Sequence, residues 1–174
     1  MTTWVLLAGL PGTGKSTLAR AVAGRLGGAV LNKDRVREAL FPGEMTDYTR
    51  EQDDLCVRAM LEAAGYLTER QRAEYIFIDG RTFSKHDHID EVVQAAQRAG
   101  AHWRILHVTC SDAVAEARLS RADPENPAKN RDAALYRRVK ESFEPIAYPK
   151  LEVDMTEGVE RVVEGVVRWL LESP

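Results

Sequence analysis

Little in this 174-residue chain points to an extracellular or membrane life. It has only two cysteines, Cys56 and Cys110, and they lack C-x-x-C spacing. That count excludes a disulfide framework and argues against a structural zinc site; both are expected as reduced thiols in a cytoplasmic protein. No apolar run approaches the ~20 residues of a membrane span, and Met1-Thr2-Thr3 does not read as a secretory leader. Surplus positive charge is also missing. Twenty-four Lys and Arg stand against 27 Asp and Glu, a net charge of −3, which disfavours an extended nucleic-acid surface. The four histidines form no ligand set: His86 and His88 are two apart and diverge on a helix, and His102 and His107 flank or occupy a strand as core or edge residues. Trp4, Trp103 and Trp169 are spaced for packing and make no base-stacking row. Repeats, low-complexity tracts and interdomain linkers are absent, so one domain over 1–174 is expected.

What is present is an ordinary globular composition, 44% hydrophobic and 29% charged. Its charge is unevenly spread. Between Arg118 and Lys140 there are seven basic and three acidic residues, a local charge of +4 that leaves −7 for the remainder. Such a patch on an acidic protein suits a small polyanion.

Short apolar runs alternate with amphipathic helical patterns, which predicts a parallel sheet between helical layers. The expected strands are 4–8, 29–31, 75–78, 103–108 and 150–153. The first expected helix carries Leu18, Val22 and Leu26 on one face and stops at Gly27-Gly28. A short helix over Arg35–Leu40 follows. A long one is capped by Thr46 or Asp47, runs to about Arg72, and has Leu55, Ala59, Met60, Ala63, Ala64 and Leu67 at apolar positions. Ser84-Lys85-His86-Asp87 reads as a capping box for a helix to about Arg98. Ser111 or Asp112 opens the helix of Arg118 and Arg121. Proline-broken 123–127 leads to a helix from Asp132 to about Phe143. Thr156 caps a last helix whose Val159, Val162, Val163, Val166, Val167, Leu170 and Leu171 form a stripe.

The chemistry concentrates first in Gly9-Leu10-Pro11-Gly12-Thr13-Gly14-Lys15-Ser16-Thr17. This is the G-x-x-x-x-G-K-[ST] pattern, placed between an apolar strand and a helix as the motif requires. Glycines let backbone N–H groups converge on phosphate oxygens, and the helix N-terminus adds partial positive charge. Gly12, Thr13, Gly14, Lys15, Ser16 and Thr17 are therefore expected to hold ATP, with Lys15 on the β- and γ-phosphates and Ser16 on Mg²⁺. The predicted architecture is a three-layer P-loop NTPase sandwich with a five-stranded parallel sheet and a helical lid at about 118–138.

Asp34 lies just beyond the second strand, on the edge where open parallel sheets bind ligands. It is either a general base facing the γ-phosphate or the N-cap of the Arg35–Leu40 helix. Arg37, one turn on, is positioned for the acceptor. Asp79 closes an apolar strand and is read as a magnesium-orienting acid, an acceptor contact or a turn-opening Asp beside Gly80. Arg81 and Thr82 follow at the same edge as candidate substrate contacts. Arg118 and Arg121, one turn apart before the proline-broken segment, are candidates for stabilising the transferring phosphoryl group; Arg137 and Arg138 are weaker ones. A GTPase is rejected because Asn32-Lys33-Asp34-Arg35 fails the N-K-x-D spacing and Asp79-Gly80-Arg81-Thr82 lacks the glycine of a D-x-x-G switch.

These stretches together, with Ile78-Asp79, Arg118-x-x-Arg121 and Phe143-Glu144-Pro145, resemble the P-loop kinases of the polynucleotide-kinase, zeta-toxin and chloramphenicol-phosphotransferase kind. The resemblance implies that Asp34 is the general base, that Arg37 binds the acceptor side, and that the Arg118/Arg121 helix serves the transferring phosphate. The expected activity is ATP- and Mg²⁺-dependent phosphorylation of a small-molecule hydroxyl on a sugar, nucleoside or antibiotic-like acceptor. The alternatives are a 5′-hydroxyl polynucleotide kinase and, from another class, an ATP-hydrolysing switch module. No phosphatase or ligase domain and no extended basic groove accompany the motifs, so oligonucleotide specificity does not carry over.

Overall fold

Five parallel strands make one sheet in the order β2-β3-β1-β4-β5, where β1 is Thr3–Ala8, β2 Ala29–Asn32, β3 Tyr75–Asp79, β4 His102–Thr109 and β5 Leu151–Asp154. The computed structural model describes residues 1–121 and 132–172. Strands buried on both faces read as continuous apolar runs, which is why 4–8 and 75–78 announced themselves. The pleat divides them. Trp4, Leu6, Ala8, Ile76 and Ile78 face a core shared with α3 (Arg50–Glu69) and α4 (His86–Arg98). Val5, Leu7, Phe77, Leu106 and Val108 face the opposite core, closed by α1 (Lys15–Leu26) and α7 (Val163–Glu172). Burying each of these aliphatic side chains contributes roughly 1.5–3 kcal/mol. Trp4 is fully buried, and its indole N–H donates to Thr68 Oγ1 at 2.9 Å. The three-layer sandwich expected from the sequence is the observed architecture.

Three smaller helices flank the sheet's carboxyl edge: α2 (Lys33–Leu40), α5 (Asp112–Leu119) and α6 (Ala133–Glu141). Strand β1 is followed by a crossover to β2 on one side, and β3 by a crossover to β4 on the other. The crevice above β1 and β3 is thus the topological switch point, where ligands bind in such sheets. No helix among the described residues is long and apolar enough to cross a membrane.

Helix boundaries corrected several expectations. The long helix is capped by Thr49, which accepts from Gln52 N, while Asp47 accepts from the Thr49 N–H and hydroxyl. Leu55 of that helix is exposed; Cys56 and Val57 face the core instead. No Ser84 capping box forms. Helix α4 opens after Lys85 without a cap from its own side chains, and the Glu144 carboxylate accepts from His86 N at 2.8 Å. Thr156 does not cap the last helix: its hydroxyl donates to Asp154, and a 3₁₀ turn at Val159–Arg161 precedes α7. Leu171 falls off the buried stripe and is exposed. Asp132 caps α6 through Leu135 N, and Ser111 caps α5 through Val114 N. The lid expected at 118–138 includes 122–131, which lie outside the described residues.

Candidate active site

The loop after β1 is built by close approaches. Gly9 has φ 146°, and a Cβ there would lie 2.2 Å from the Val108 carbonyl oxygen of β4, so only glycine fits. Its N–H donates to Thr82 O at 3.0 Å, which ties the loop to the turn after β3. Thr13 is buried and donates to Leu10 O. Lys15, at the head of α1, donates to the carbonyls of Gly9 at 2.8 Å and Leu10 at 2.7 Å. Ser16 is half-buried and Thr17 exposed. Gly12 and Gly14 both take positive φ, completing a loop that turns into the N-terminus of α1.

The cap reading of Asp34 is excluded by the local chain path. Helix α2 begins at Lys33, two residues earlier than expected, and its N-cap is Asn32, whose Oδ1 accepts from Asp34 N and Arg35 N. Asp34 is therefore not the cap. It is 5% exposed and lines a cavity of about 790 Å³ that it shares with Lys15, Arg37, Arg81 and Thr82. Arg37 Nη1 donates to Asp34 Oδ1 at 3.0 Å, its Nη2 pairs with Asp53 Oδ1, and Lys33 Nζ reaches Asp53 Oδ2 at 2.9 Å. The Tyr48 ring lies 5.2 Å from the Arg37 guanidinium, a cation–π contact on the same wall.

Asp79 ends β3 directly opposite Asn32 in the β2–β3 register. It is 1% exposed; Asn32 Nδ2 donates to its Oδ2 at 2.6 Å. Its Oδ1 is buried with no hydrogen-bond partner among the described residues. Buried carboxylate oxygens are rarely left unsatisfied, so this atom fits an acid that orients a hydrated cation. Gly80, with φ 95°, lets the turn pass against Lys33, where a Cβ would lie 2.7 Å from the Lys33 nitrogen. Arg81 folds inward to Asp54 at 3.2 Å, and Phe83 completes the turn at φ 50°.

Arg118 and Arg121 do not line that cavity. Arg118 braces the nucleotide loop from behind, donating to Gly12 O at 3.5 Å, Thr13 O at 3.4 Å and Met155 O at 2.8 Å. Arg121 is exposed beyond the end of α5. Arg137 pairs with Glu116 at 3.3 Å and Arg138 is exposed. Sequence reasoning missed Lys33, Tyr48, Asp53, Lys85 and His88 at the site, and Asp54 as the partner of Arg81. The adjacent acids Asp53-Asp54 near a helix start were the one available signal, and such a pair ordinarily reads as a solvated first turn. It also missed how Glu144 works. That carboxylate accepts from Lys85 Nζ at 3.1 Å as well as from His86 N, and these two groups hold it below the usual carboxylate range. Burial, reinforced by Arg81's charge, lowers the His88 pKa.

A nucleotide-loop sequence between β1 and α1, at the switch point of a parallel sheet in 2-3-1-4-5 order, defines a P-loop NTPase-type α/β fold. A family model described as an AAA domain matches residues 5–146, and the chain belongs to that family. Among solved structures, the chain is similar to a provisionally assigned kinase of Chloroflexus aurantiacus (TM-score 0.78, 23% identity, covering 98% of this chain and 97% of that one). It is also similar to a sugar kinase of Janibacter (TM-score 0.71, 18%, 100% and 97%). The APS kinase of Mycobacterium tuberculosis, in complex with AMPPNP and APS, matches at TM-score 0.71, 20% identity and coverage of 99% and 98%. No curated protein matches the sequence.

Proposed function

We propose that this protein is an ATP- and Mg²⁺-dependent kinase that phosphorylates a hydroxyl of a small molecule, in the manner of the polynucleotide-kinase, zeta-toxin and chloramphenicol-phosphotransferase group. The observation that carries the reading is the displacement of Asp34 from the cap position. With Asn32 capping α2, the Asp34 carboxylate is available to the cavity it shares with Lys15.

Gly12 to Thr17 cradle the triphosphate, and Lys15 leaves its own loop carbonyls for the β- and γ-phosphates. Asp34 accepts the acceptor proton as that oxygen attacks the γ-phosphorus; the bond from the γ-phosphorus to the β–γ bridging oxygen breaks and ADP departs. Arg37 holds the Asp34 carboxylate in position through Oδ1. Ser16 and Asp79 would hold a magnesium ion, which when bound would supply neutralising positive charge to the triphosphate. Arg81 and Thr82 form the acceptor wall, while Arg118 fixes the loop and Arg121 closes over the transferring group. Similarity to the sugar kinase of Janibacter and the APS kinase of Mycobacterium tuberculosis supports the same reaction class. Incubation with γ-labelled ATP and a panel of hydroxyl compounds tests it: label must appear in an acceptor. ATP hydrolysis with no labelled product across the panel identifies a switch module instead.

A further inference from the structure

Tyr48 adopts φ 55°, in the left-handed region that a bulky residue ordinarily avoids. Its neighbours on both sides are held in place. Gln52 of α3 accepts from Asp47 N at 3.2 Å through Oε1 and donates to Met45 O at 2.7 Å through Nε2. Thr49 donates to the Asp47 carboxylate through its N–H at 2.9 Å and its hydroxyl at 2.8 Å. Gln52 is 7% exposed, so a buried polar side chain is committed to shaping this turn. Strained residues persist where their surroundings over-determine them, and they cluster at ligand sites.

The strain places the ring. Tyr48 lines the cavity that Asp34 lines, 5.2 Å from the Arg37 guanidinium, which bonds Asp34 Oδ1 at 3.0 Å. Apolar side chains are few on that wall. Besides Tyr48 they are Pro11 and, one turn apart on α6, Leu135 and Val139. Among the described lining residues Tyr48 is the only tyrosine, phenylalanine or tryptophan. A tyrosine ring offers a large apolar face with few torsions to freeze, and a ligand ring meets it already ordered. An open chain must lose its own torsional freedom to cover the same surface.

Resting on the kinase reading above, we infer that Tyr48 determines acceptor specificity. Its ring is the platform for a cyclic acceptor, whose apolar ring face rests on it while a hydroxyl reaches Asp34. The C–H face of a pyranoside and the face of a nucleoside base share that chemistry. Gln52 is a positioning residue that acts through Tyr48.

The test uses γ-labelled ATP with cyclic acceptors (methyl glucosides, methyl ribosides, uridine and adenosine) and the open-chain alditols sorbitol and ribitol. At least one cyclic acceptor is expected to exceed every alditol in kcat/KM by roughly tenfold or more, and its identity separates the glycoside from the base. Preference for an alditol overturns the inference while leaving the kinase standing, and transfer to no member overturns both. With the preferred cyclic acceptor, Tyr48→Ala raises its KM roughly tenfold or more at unaltered ATP affinity, and Tyr48→Phe recovers most of that loss. Tyr48→Gly, which tolerates the left-handed backbone, shares the raised KM with a thermal midpoint at or above that of Tyr48→Ala. Gln52→Ala raises KM likewise and adds nothing in the Tyr48→Ala background. An unchanged acceptor KM in Tyr48→Ala overturns the platform, and so do equal losses of acceptor and ATP affinity. If Gln52→Ala does not fold, the Tyr48 series alone decides.

Discussion

Asn32 joins two buried carboxylates through one side-chain amide: its Oδ1 caps the helix of Asp34, and its Nδ2 donates to Asp79 Oδ2 at 2.6 Å. The oxygen end positions the proposed base and the nitrogen end positions the proposed metal-orienting acid. Asn32→Ala removes both. The lost cap costs about 1 kcal/mol, and the buried carboxylate left without its donor a further ~1–3 kcal/mol, read as a lower urea midpoint. Asn32→Asp separates the two roles. It restores the cap but sets a like charge against Asp79, so stability recovers in part while kcat stays low.

Asp34→Asn keeps the shape and removes the base. Phosphoryl transfer is expected to fall by roughly 10²–10⁴-fold, the usual contribution of general-base catalysis. ATP affinity, measured by titration calorimetry, is expected to remain within about twofold. Near-normal turnover would remove Asp34 from the mechanism.

Lys15→Met tests the donor side. A charge-assisted hydrogen bond is worth ~1.5–3 kcal/mol, so ATP affinity should weaken by roughly 10- to 100-fold and transfer by more. Its present bond to the Gly9 carbonyl is buried and that to the Leu10 carbonyl part-buried, so losing the donor should also lower stability by ~1–3 kcal/mol.

Gly9→Ala tests whether the loop path is imposed by tertiary contact. The added methyl meets the Val108 carbonyl at 2.2 Å and a φ of 146°, with no flexible neighbour to yield. The expected loss exceeds ~1 kcal/mol, lowering Tm by upwards of roughly 3 °C for a chain of this size. An unchanged Tm would contradict the β1–β4 geometry.

Stability should decline on mild acidification. Burial chiefly lowers the pKa values of His88 and His107 below the ordinary 6.5. Between that value and the folded-state values the unfolded chain binds protons that the native one does not, so the native state loses ground as pH falls through the window. The urea midpoint at pH 5.5 is expected below that at pH 7.5, and His88→Gln with His107→Gln should flatten the difference. The carboxylates of Glu144 and Asp112, held low by their partners, shed their contributions only below about 4.5 and 3.8 respectively, outside this window.

The amino-acid order alone determined the sheet, the loop and the sandwich. Apolar runs such as Trp4 to Ala8 are compatible only with strands buried on both faces, and the Gly9–Thr17 pattern carries its chemistry within nine residues. Local chemistry also placed a helix start at Asp132 and narrowed another to Ser111 or Asp112, of which Ser111 is the cap. Tertiary structure decided what depended on distant partners. Asn32 became the cap of α2 because pairing with β3 sets its amide beside Asp79, leaving Asp34 to the cavity. Ser84 lost its capping role because Glu144, 58 residues beyond His86, supplies the carboxylate. Arg118, which looked like a lid arginine by spacing, turned to the back of the loop because the β5 end brings Met155 O within 2.8 Å. Asp53 and Asp54 carried no reading in the sequence; α3 packing beside α2 is what pairs them with Arg37 and Arg81. Periodicity and motif record what neighbouring residues require of one another. The partners of a buried charge are chosen by the sheet order, which no local pattern contains.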